Sequence, residues 1–374
     1  MRVGILTFHN GTNYGGTLQA FATQEILKSL GHEVIIINYA PLSFRDRFYK
    51  CFTTSVKYRN IKSYLLDYFK EPRFREFRKD YMNLSKRYFT QNDIISDIES
   101  LKLDVCISGS DQVWSPYMAM NWGKPYFQNG FPDNIKRIAY AVSFSCSEYP
   151  DNAMNIVIDD IRKFKNISVR ENSGLDILSK KNISDVRVMP DPTFLFDINI
   201  INNLIKKGEG ILNDKGEKFH IKQNGYIYFY ILQQNQNLIN SVKDYYSDIS
   251  NNYSNGDIVS SEDRDFRFEG IEEWLAHISN SKLVVTNSFH GAVFSLLLHK
   301  PFILIPVEGK LAGMNDRIVS LMTTFGLNNR ILKSFNIDDI ANIEKDVIDW
   351  EFVDCKINDL KNSGIKFISD ALDR

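Results

Sequence analysis

LVVTNSFHGAVFSLLLHKPFILIPVEGKLAGMNDR, residues 283–317, decides the fold class. Leu283–Val285 is an apolar, β-branched run long enough for a buried strand. Thr286-Asn287-Ser288 follows, three side chains able to cap a helix or hydrogen-bond a ligand. Phe289, Ala292, Val293, Leu296 and Leu297 then recur at helical spacing, Lys300-Pro301 stops the helix, and Phe302–Ile305 is a second strand. The pattern is β-α-β, and parallel α/β sheets bind ligands outside the carboxyl ends of their strands. His290 falls on the first turn of the helix, where backbone N–H groups favour anions. Beside Asn287 and Ser288 it is a candidate acid/base group. The plainer reading is a capped helix with a surface histidine.

The same unit recurs outward from this stretch. Val3–Phe8 is a strand and His9–Gly16 a glycine-containing turn. A helix with Leu18, Phe21, Ala22, Ile26 and Leu30 at core spacing leads to a strand over Val34–Asn38. The turn is neither G-x-G-x-x-G nor a Walker loop, so no dinucleotide or P-loop site follows. Asn10 and Asn13 can donate to hydroxyls or phosphates, or merely satisfy a tight turn. Asp104–Ser108 is a further strand, ending in Gly109-Ser110-Asp111-Gln112-Val113-Trp114. Asp111 can orient or deprotonate a sugar hydroxyl and Trp114 can stack on a sugar ring. The alternative is an Asx turn beside a core tryptophan. Strands are also expected over Arg137–Phe144, Ile167–Arg170, Val186–Met189, Tyr226–Leu232 and Asp257–Ser260, with a loop over 208–224 and a terminal amphipathic helix over Cys355–Leu372. The simplest architecture is two α/β domains facing each other across a cleft.

At 374 residues the chain is long for one core. Its 43% hydrophobic and 24% charged residues are those of an ordinary globular protein. A formal net charge of −1 gives no basis for general nucleic-acid binding. The four cysteines form no Cys-x-x-Cys pair, which favours reduced thiols over a zinc site or disulfide framework. The N-terminus shows no signal-peptide pattern, and polar residues break the apolar stretch 283–307, so no membrane span is expected. Asp263-Arg264-Asp265 fits the loose Asp-x-Asp pattern of metal-dependent sugar transferases but is discounted as a lone match. Residues 43–90 break the α/β rhythm with 13 Lys/Arg against 5 Asp/Glu and 13 aromatics, including Phe48, Tyr49 and Phe52. They fit a membrane-surface element, an anionic-polymer groove or a helical insert with solvated charges.

Taken together, GILTFHNGTNYGGTLQA near the start, SGSDQVW at 108–114, VREN at 169–172, PDPT at 190–193, TNSFHGAVFSLLLHKPF at 286–302 and NDRI at 315–318 resemble the polysaccharide pyruvyl transferases, in the family's order. The resemblance implies a GT-B-like fold of two Rossmann-like domains, here 1–166 with a helical insert at 43–90, and 167–350 as the donor-binding domain. Residues 351–374 would form a C-terminal helix packing back on the first domain. It implies transfer of a pyruvyl group from phosphoenolpyruvate to saccharide hydroxyls, giving a cyclic ketal and phosphate in surface polysaccharide biosynthesis, with no cofactor and no metal. His290 and Asp111 are the expected catalytic residues. Arg170, Asn287, Ser288 and Arg317 are expected around the donor, and Asn10, Asn13, Tyr14, Gly15, Gly16, Gln112 and Trp114 around the acceptor. Some members carry arginine-leucine where this chain has Ser288-Phe289, and Arg317 is the nearest replacement. A cytoplasmic enzyme at the inner membrane face, with a polyprenyl-diphosphate-linked acceptor, fits this reading. A GT-B glycosyltransferase using a nucleotide sugar, or a non-catalytic saccharide binder, would share the architecture.

Overall fold

The computed structural model describes residues 1–41, 57–215, 225–232, 236–249, 258–261, 268–307 and 315–373. Phe48, Tyr49, Phe52, the Asp263-Arg264-Asp265 match and positions 308–314 of the opening stretch lie outside them. Two compact units result: Met1–Phe196 with Asp359–Arg374, and Asp197–Asn358.

The first unit is built on six strands: β1 (Arg2–Leu6), β2 (Glu33–Ile36), β3 (Val105–Ser108), β4 (Lys136–Val142), β5 (Asn166–Val169) and β6 (Val186–Val188). All pair in parallel in the order β2-β1-β3-β4-β5-β6. The chain winds one way from β1 to β2 and the other way from β3 onward. A crevice therefore opens between the carboxyl ends of β1 and β3, the position where open α/β sheets bind ligands. The helix Tyr14–Ser29 follows β1; Asn13 caps it by accepting from the Gly16 N–H at 3.0 Å.

The second unit repeats the scheme with β7 (Ile227–Tyr230), β8 (Ile258–Ser260), β9 (Leu283–Thr286) and β10 (Phe302–Leu304). These are parallel in the order β10-β9-β7-β8, so the reversal falls between β7 and β9. Phe229, Val285, Ile303 and Ile305 fill the core on one face of this sheet.

Three expectations are corrected. The boundary falls after Phe196, not after residue 166, because β5 and β6 extend the first sheet: Ile138 is in register with Asn166 and Ile167 with Val186. A β-α-β rhythm reads the same whichever sheet receives the next strand, so periodicity left the boundary open. Residues 208–214 are not loop; they complete the helix Ile198–Asp214. Gly208 faces the helix Ile271–Asn280, where a Cβ would stand 2.0 Å from the Glu272 carbonyl oxygen. The glycine that read as a loop signal is a contact requirement between helices. Trp114 is a core residue, as described below. The terminal helix spans Trp350–Asp373, and its end belongs to the first unit, where Phe367 packs on Tyr140 and Lys136 donates to the Leu372 carbonyl at 3.1 Å.

The basic, aromatic insert contains a 25-residue helix, Lys57–Tyr81. Its inward face buries Phe74 and Phe77 completely, against Tyr14 and Phe21. The same face braces the turn after β1. The Thr12 hydroxyl donates to Asp67, Lys70 Nζ lies 3.8 Å from the Tyr14 ring centroid, and Arg78 donates to the Gly11 carbonyl at 3.0 Å and to Glu71 at 3.0 Å. Leu65, Tyr68 and Phe69 lie on the exposed side.

The helix contact at Gly208 sets a paired test. Gly208→Ala should lower unfolding free energy by about 1–3 kcal/mol through overpacking. Gly210→Ala, two residues on with nothing within 4 Å of the new methyl, should raise it by a few tenths to about 1 kcal/mol through helix propensity. Urea titrations of both variants check this; two neutral substitutions would mean that the segment is not a packed helix.

Candidate active site

In the first unit the side chains that converge come from the carboxyl ends of β3, β4, β5 and β6. Arg170 follows β5, and its side chain is almost fully buried. It donates to Asp191 Oδ2 at 2.6 Å, and its other nitrogens stand 3.5 Å from Asp111 Oδ1 and 4.0 Å from Glu171 Oε2. Burial alone would lower the guanidinium pKa. Asp191, Asp111 and Glu171 more than offset that, and the cation is held above its ordinary value. Each carboxylate has further donors. Asp191 accepts from the Thr193 N–H at 3.0 Å, the Thr193 hydroxyl at 2.7 Å and the Ser110 hydroxyl at 3.1 Å. Glu171 accepts from the Ser143 hydroxyl at 2.8 Å and the Phe144 N–H at 2.9 Å.

Asp111 sits at the crevice itself. Its backbone has φ 73° and ψ −173°, a region almost reserved for glycine and costing roughly 1–3 kcal/mol for any other residue. The surroundings enforce it: the Asp111 carbonyl accepts from the Ser143 N–H at 2.9 Å while its carboxylate accepts from the Gln112 N–H at 2.9 Å. Gly109, two residues earlier, has no room for a side chain, because a Cβ would meet Thr7 Cβ at 2.8 Å. A methyl on Gly16 would lie 3.5 Å from Asp111 Oδ2, so the first turn of the helix Tyr14–Ser29 borders this carboxylate. Strain stored at a carboxylate beside a helix start, in the switch-point crevice, makes Asp111 a candidate functional residue.

Of the other expected residues of this unit, Gly16 and Gln112 stay beside Asp111, whereas Trp114 does not join them. Asn13 spends its side-chain oxygen on the helix cap, and Gly15 and Gly16 are buried in the first turn. Tyr14 is buried against Phe74. Gln112 is partly exposed beside Asp111, and Asn10 is partly exposed on the turn. Trp114 offers no ring to a ligand: it is fully buried, stacks on Phe127 at 5.5 Å and 13°, and donates its indole N–H to the Tyr126 carbonyl at 3.1 Å. Arg170, expected in a second, donor-binding domain, belongs to the first unit. Asp191 and Glu171 were missed as site residues, although both lie in motifs that stood out, PDPT and VREN. A carboxylate between two prolines reads as a cap until the arginine it holds is seen.

In the second unit β9 ends at Thr286, and the helix Phe289–Leu297 begins after Ser288. Ser288 caps it, its hydroxyl accepting from the Gly291 N–H at 3.2 Å. Gly291 lets the helix close on the strand, since a Cβ would meet Thr286 Oγ1 at 2.6 Å. Asn287 spans the crevice between β7 and β9, accepting from the Leu232 N–H at 2.8 Å. His290 lies on the first turn, 8% exposed. Arg317 comes from the helix Asn315–Phe325, is 6% exposed, and holds its guanidinium carbon 5.9 Å from the centroid of the Phe289 ring. Asn315 fixes the start of that helix through two hydrogen bonds to the Val307 backbone, at 2.9 and 2.8 Å. The structure thus brings Asn287, Ser288 and His290 together at one switch point, with Arg317 reaching Phe289 on the same helix turn. A histidine, an arginine and a helix N-terminus form an anion-binding, proton-handling set.

The Arg170 cluster is testable by stability. Arg170→Met leaves three buried carboxylates without their cation and should cost about 3–5 kcal/mol. Arg170→Lys, which keeps the charge, should cost clearly less. Urea unfolding of both checks this, and a loss under about 1 kcal/mol in Arg170→Met would contradict the assigned role.

Comparison with known proteins adds the following. Residues 13–309 match the family model described as polysaccharide pyruvyl transferase. No curated protein matches the sequence. Among solved structures, the UDP-GlcNAc 2-epimerase from Neisseria meningitidis superposes with a TM-score of 0.57 at 12% identity, covering 100% of this chain and 99% of that one. The UDP-GlcNAc 2-epimerase from Methanocaldococcus jannaschii gives 0.54 at 12% identity, covering 93% of each chain. At such identity the likeness shows the fold, which is GT-B-like with two parallel sheets. With residues 13–309, most of its length, matched by the family model, the chain belongs to the polysaccharide pyruvyl transferase family.

Proposed function

We propose that the protein transfers the pyruvyl group of phosphoenolpyruvate to two hydroxyls of a saccharide, closing a pyruvate ketal and releasing phosphate. The observation that carries the reading is the start of the helix Phe289–Leu297, where the Phe289 ring lies 5.3 Å from that of His290 and 5.9 Å from the Arg317 guanidinium carbon, in a chain of this family. Phosphoenolpyruvate brings a carboxylate and a phosphate. The second unit offers it an untitratable guanidinium and backbone N–H groups, with Asn287 and Ser288 shaping the turn. His290 gives a proton to the methylene carbon, or partners the phosphate. As the C=C bond is protonated, positive charge develops at the adjacent carbon. The first sugar oxygen bonds there, the phosphate C–O bond breaks, and a second sugar oxygen closes the ketal. One hydroxyl proton replaces the proton given by the acid, and the other leaves with phosphate.

Asp111 is the acceptor-side base in this proposal. The cluster around Arg170 already carries more negative than positive charge, which disfavours an anionic donor there and favours accepting hydrogen bonds from a polyol. Arg170 therefore holds Asp111 in place rather than holding the donor. Asn13, Tyr14, Gly15, Gly16 and Gln112 frame the acceptor side, the glycines through their backbone. No cofactor or metal enters this scheme.

Phosphate release from phosphoenolpyruvate with a panel of glycosides tests the reading. His290→Ala should abolish turnover in a folded protein, whereas near-normal turnover would remove the acid role. Arg317→Lys should lower donor efficiency by on the order of tenfold, since lysine lacks the bidentate fork and each charge-assisted bond contributes about 1.5–3 kcal/mol. A nucleotide-sugar glycosyltransferase would instead hydrolyse sugar nucleotides and ignore phosphoenolpyruvate.

No helix among the described residues is long and apolar enough to cross a membrane. A location at the inner face of the cytoplasmic membrane, with a lipid-linked acceptor, belongs to the same proposal through the basic segment 43–90. Arg73, Arg75 and Lys79 are the cations to replace there, because Arg78 is buried in the brace on Gly11. Their joint replacement by serine should reduce flotation with anionic liposomes, most strongly at low salt. Unchanged flotation would leave the segment as a structural insert.

A further inference from the structure

The turn between β1 and the helix Tyr14–Ser29 lies at the surface: Asn10, Gly11 and Thr12 are partly exposed and Asn13 is exposed. Gly11 has φ 138°, a conformation that favours glycine, and nothing lies within 4 Å of the place its Cβ would take. Glycine loses more freedom on ordering than any other residue, so a turn of this kind needs contacts from outside to keep one shape. Those contacts come from one stripe of the helix Lys57–Tyr81. Asp67, Lys70, Phe74 and Arg78 follow one another three, four and four residues apart, on a single face. Asp67 accepts from the Thr12 hydroxyl, Lys70 Nζ stands 3.8 Å from the Tyr14 ring centroid, the Phe74 ring lies 5.1 Å from the same ring, and Arg78 Nη1 donates to the Gly11 carbonyl at 3.0 Å.

Arg78 is the most specific of the four. Its side chain is 7% exposed, and Nη2 donates to Glu71 Oε1 at 3.0 Å while Nη1 holds Gly11. Two bonds from one planar fork fix the guanidinium, and a charged donor on a carbonyl is stronger than a neutral one. A lysine ammonium carries the charge without the fork. Beyond Gly11 the chain reaches Asn13, which caps the helix Tyr14–Ser29, and then Gly16, where a methyl would lie 3.5 Å from Asp111 Oδ2. Moving Gly11 therefore moves the cap and the backbone beside Asp111.

We propose that Arg78 is a positioning residue for the acceptor, acting through Gly11 on the turn that frames the acceptor beside Asp111 and not by contact with substrate. The proposal rests on the reading that places the acceptor at Asp111. His290 and Arg317, the donor-side groups of that reading, belong to the second unit, so the effect falls on the acceptor and spares phosphoenolpyruvate. Loss of the charge-assisted bond to Gly11 should weaken acceptor binding by roughly tenfold.

Hydrogen exchange, calorimetry and steady-state kinetics on the full chain test it, with nitrophenyl galactoside, mannoside and N-acetylglucosaminide as acceptor probes. In Arg78→Met the amides of residues 9–16 should exchange faster, and the KM for the glycoside should rise roughly tenfold, with kcat and the KM for phosphoenolpyruvate unchanged. Arg78→Lys should fall between Arg78→Met and the wild type. A role confined to stability would instead lower the melting temperature and the active fraction, so that kcat falls with both KM values unchanged. That result, or an unchanged glycoside KM at full activity, overturns the proposal. Should Arg78→Met fail to fold, Thr12→Val removes the contact to Asp67 from the turn side and carries the same prediction at smaller size. Calorimetric titration of the glycosides without donor separates the two readings. Arg78-dependent glycoside binding without any phosphate release from phosphoenolpyruvate supports the positioning role and sinks pyruvyl transfer. Phosphate release with a glycoside KM independent of Arg78 supports transfer and sinks the positioning role. A wild type that binds none of the glycosides also overturns the proposal.

Discussion

The first unit depends on one buried cation. Arg170 lies among Asp191, Asp111 and Glu171, and none of the four could be buried ionised without the others and their hydroxyl and amide donors. That constraint ties together the turns after β3, β4, β5 and β6. It fixes Asp111 in a backbone conformation that would otherwise relax, and it points a carboxylate at the crevice where β1 and β3 part. In the proposed scheme the arginine acts as a keystone for an acidic site rather than as a receptor for an anion.

The two sheets share a topology and differ in charge. Each reverses its winding next to its first strand, so each offers a crevice at strand carboxyl ends. In the first unit that crevice is edged by the Asp111 carboxylate. In the second it is edged by a helix start that carries His290, with an arginine held against the neighbouring Phe289. Pyruvyl transfer needs both chemistries, an electrophile bound as an anion and a nucleophile bound as a polyol. The family assignment and this division of residue types support the proposal from independent directions. The brace from the helix Lys57–Tyr81 extends the same logic outward. A segment read as a patch of charge and aromatics spends Phe74, Phe77 and Arg78 on holding the turn after β1.

Much of this was legible in the sequence. The β-α-β opening, the turn-bearing strand ends and the capped helix at Ser288 follow from apolar periodicity and polar punctuation, and the structure has all three. The GT-B-like class followed from the ordered motifs. What local pattern could not carry was pairing. Nothing in Ile167–Arg170 says which sheet it joins, so the boundary was drawn early and Arg170 was placed in the wrong unit. Trp114 and Gly208 failed for a related reason. A tryptophan in a polar turn and a glycine in a polar run look exposed until the Phe127 ring and the Glu272 carbonyl that meet them are known. Likewise Asp191 reads as a cap in PDPT because its arginine is 21 residues away.

The central claim, that this fold moves a pyruvyl group, is tested most directly by following the carbon itself. Phosphoenolpyruvate labelled with ¹³C at C2 would be incubated with the protein and a saccharide acceptor, and the purified saccharide examined by carbon NMR. The account predicts a labelled quaternary ketal carbon bonded to two sugar oxygens, formed in step with phosphate. Phosphate released without label in any saccharide, or label recovered only as free pyruvate, would contradict it.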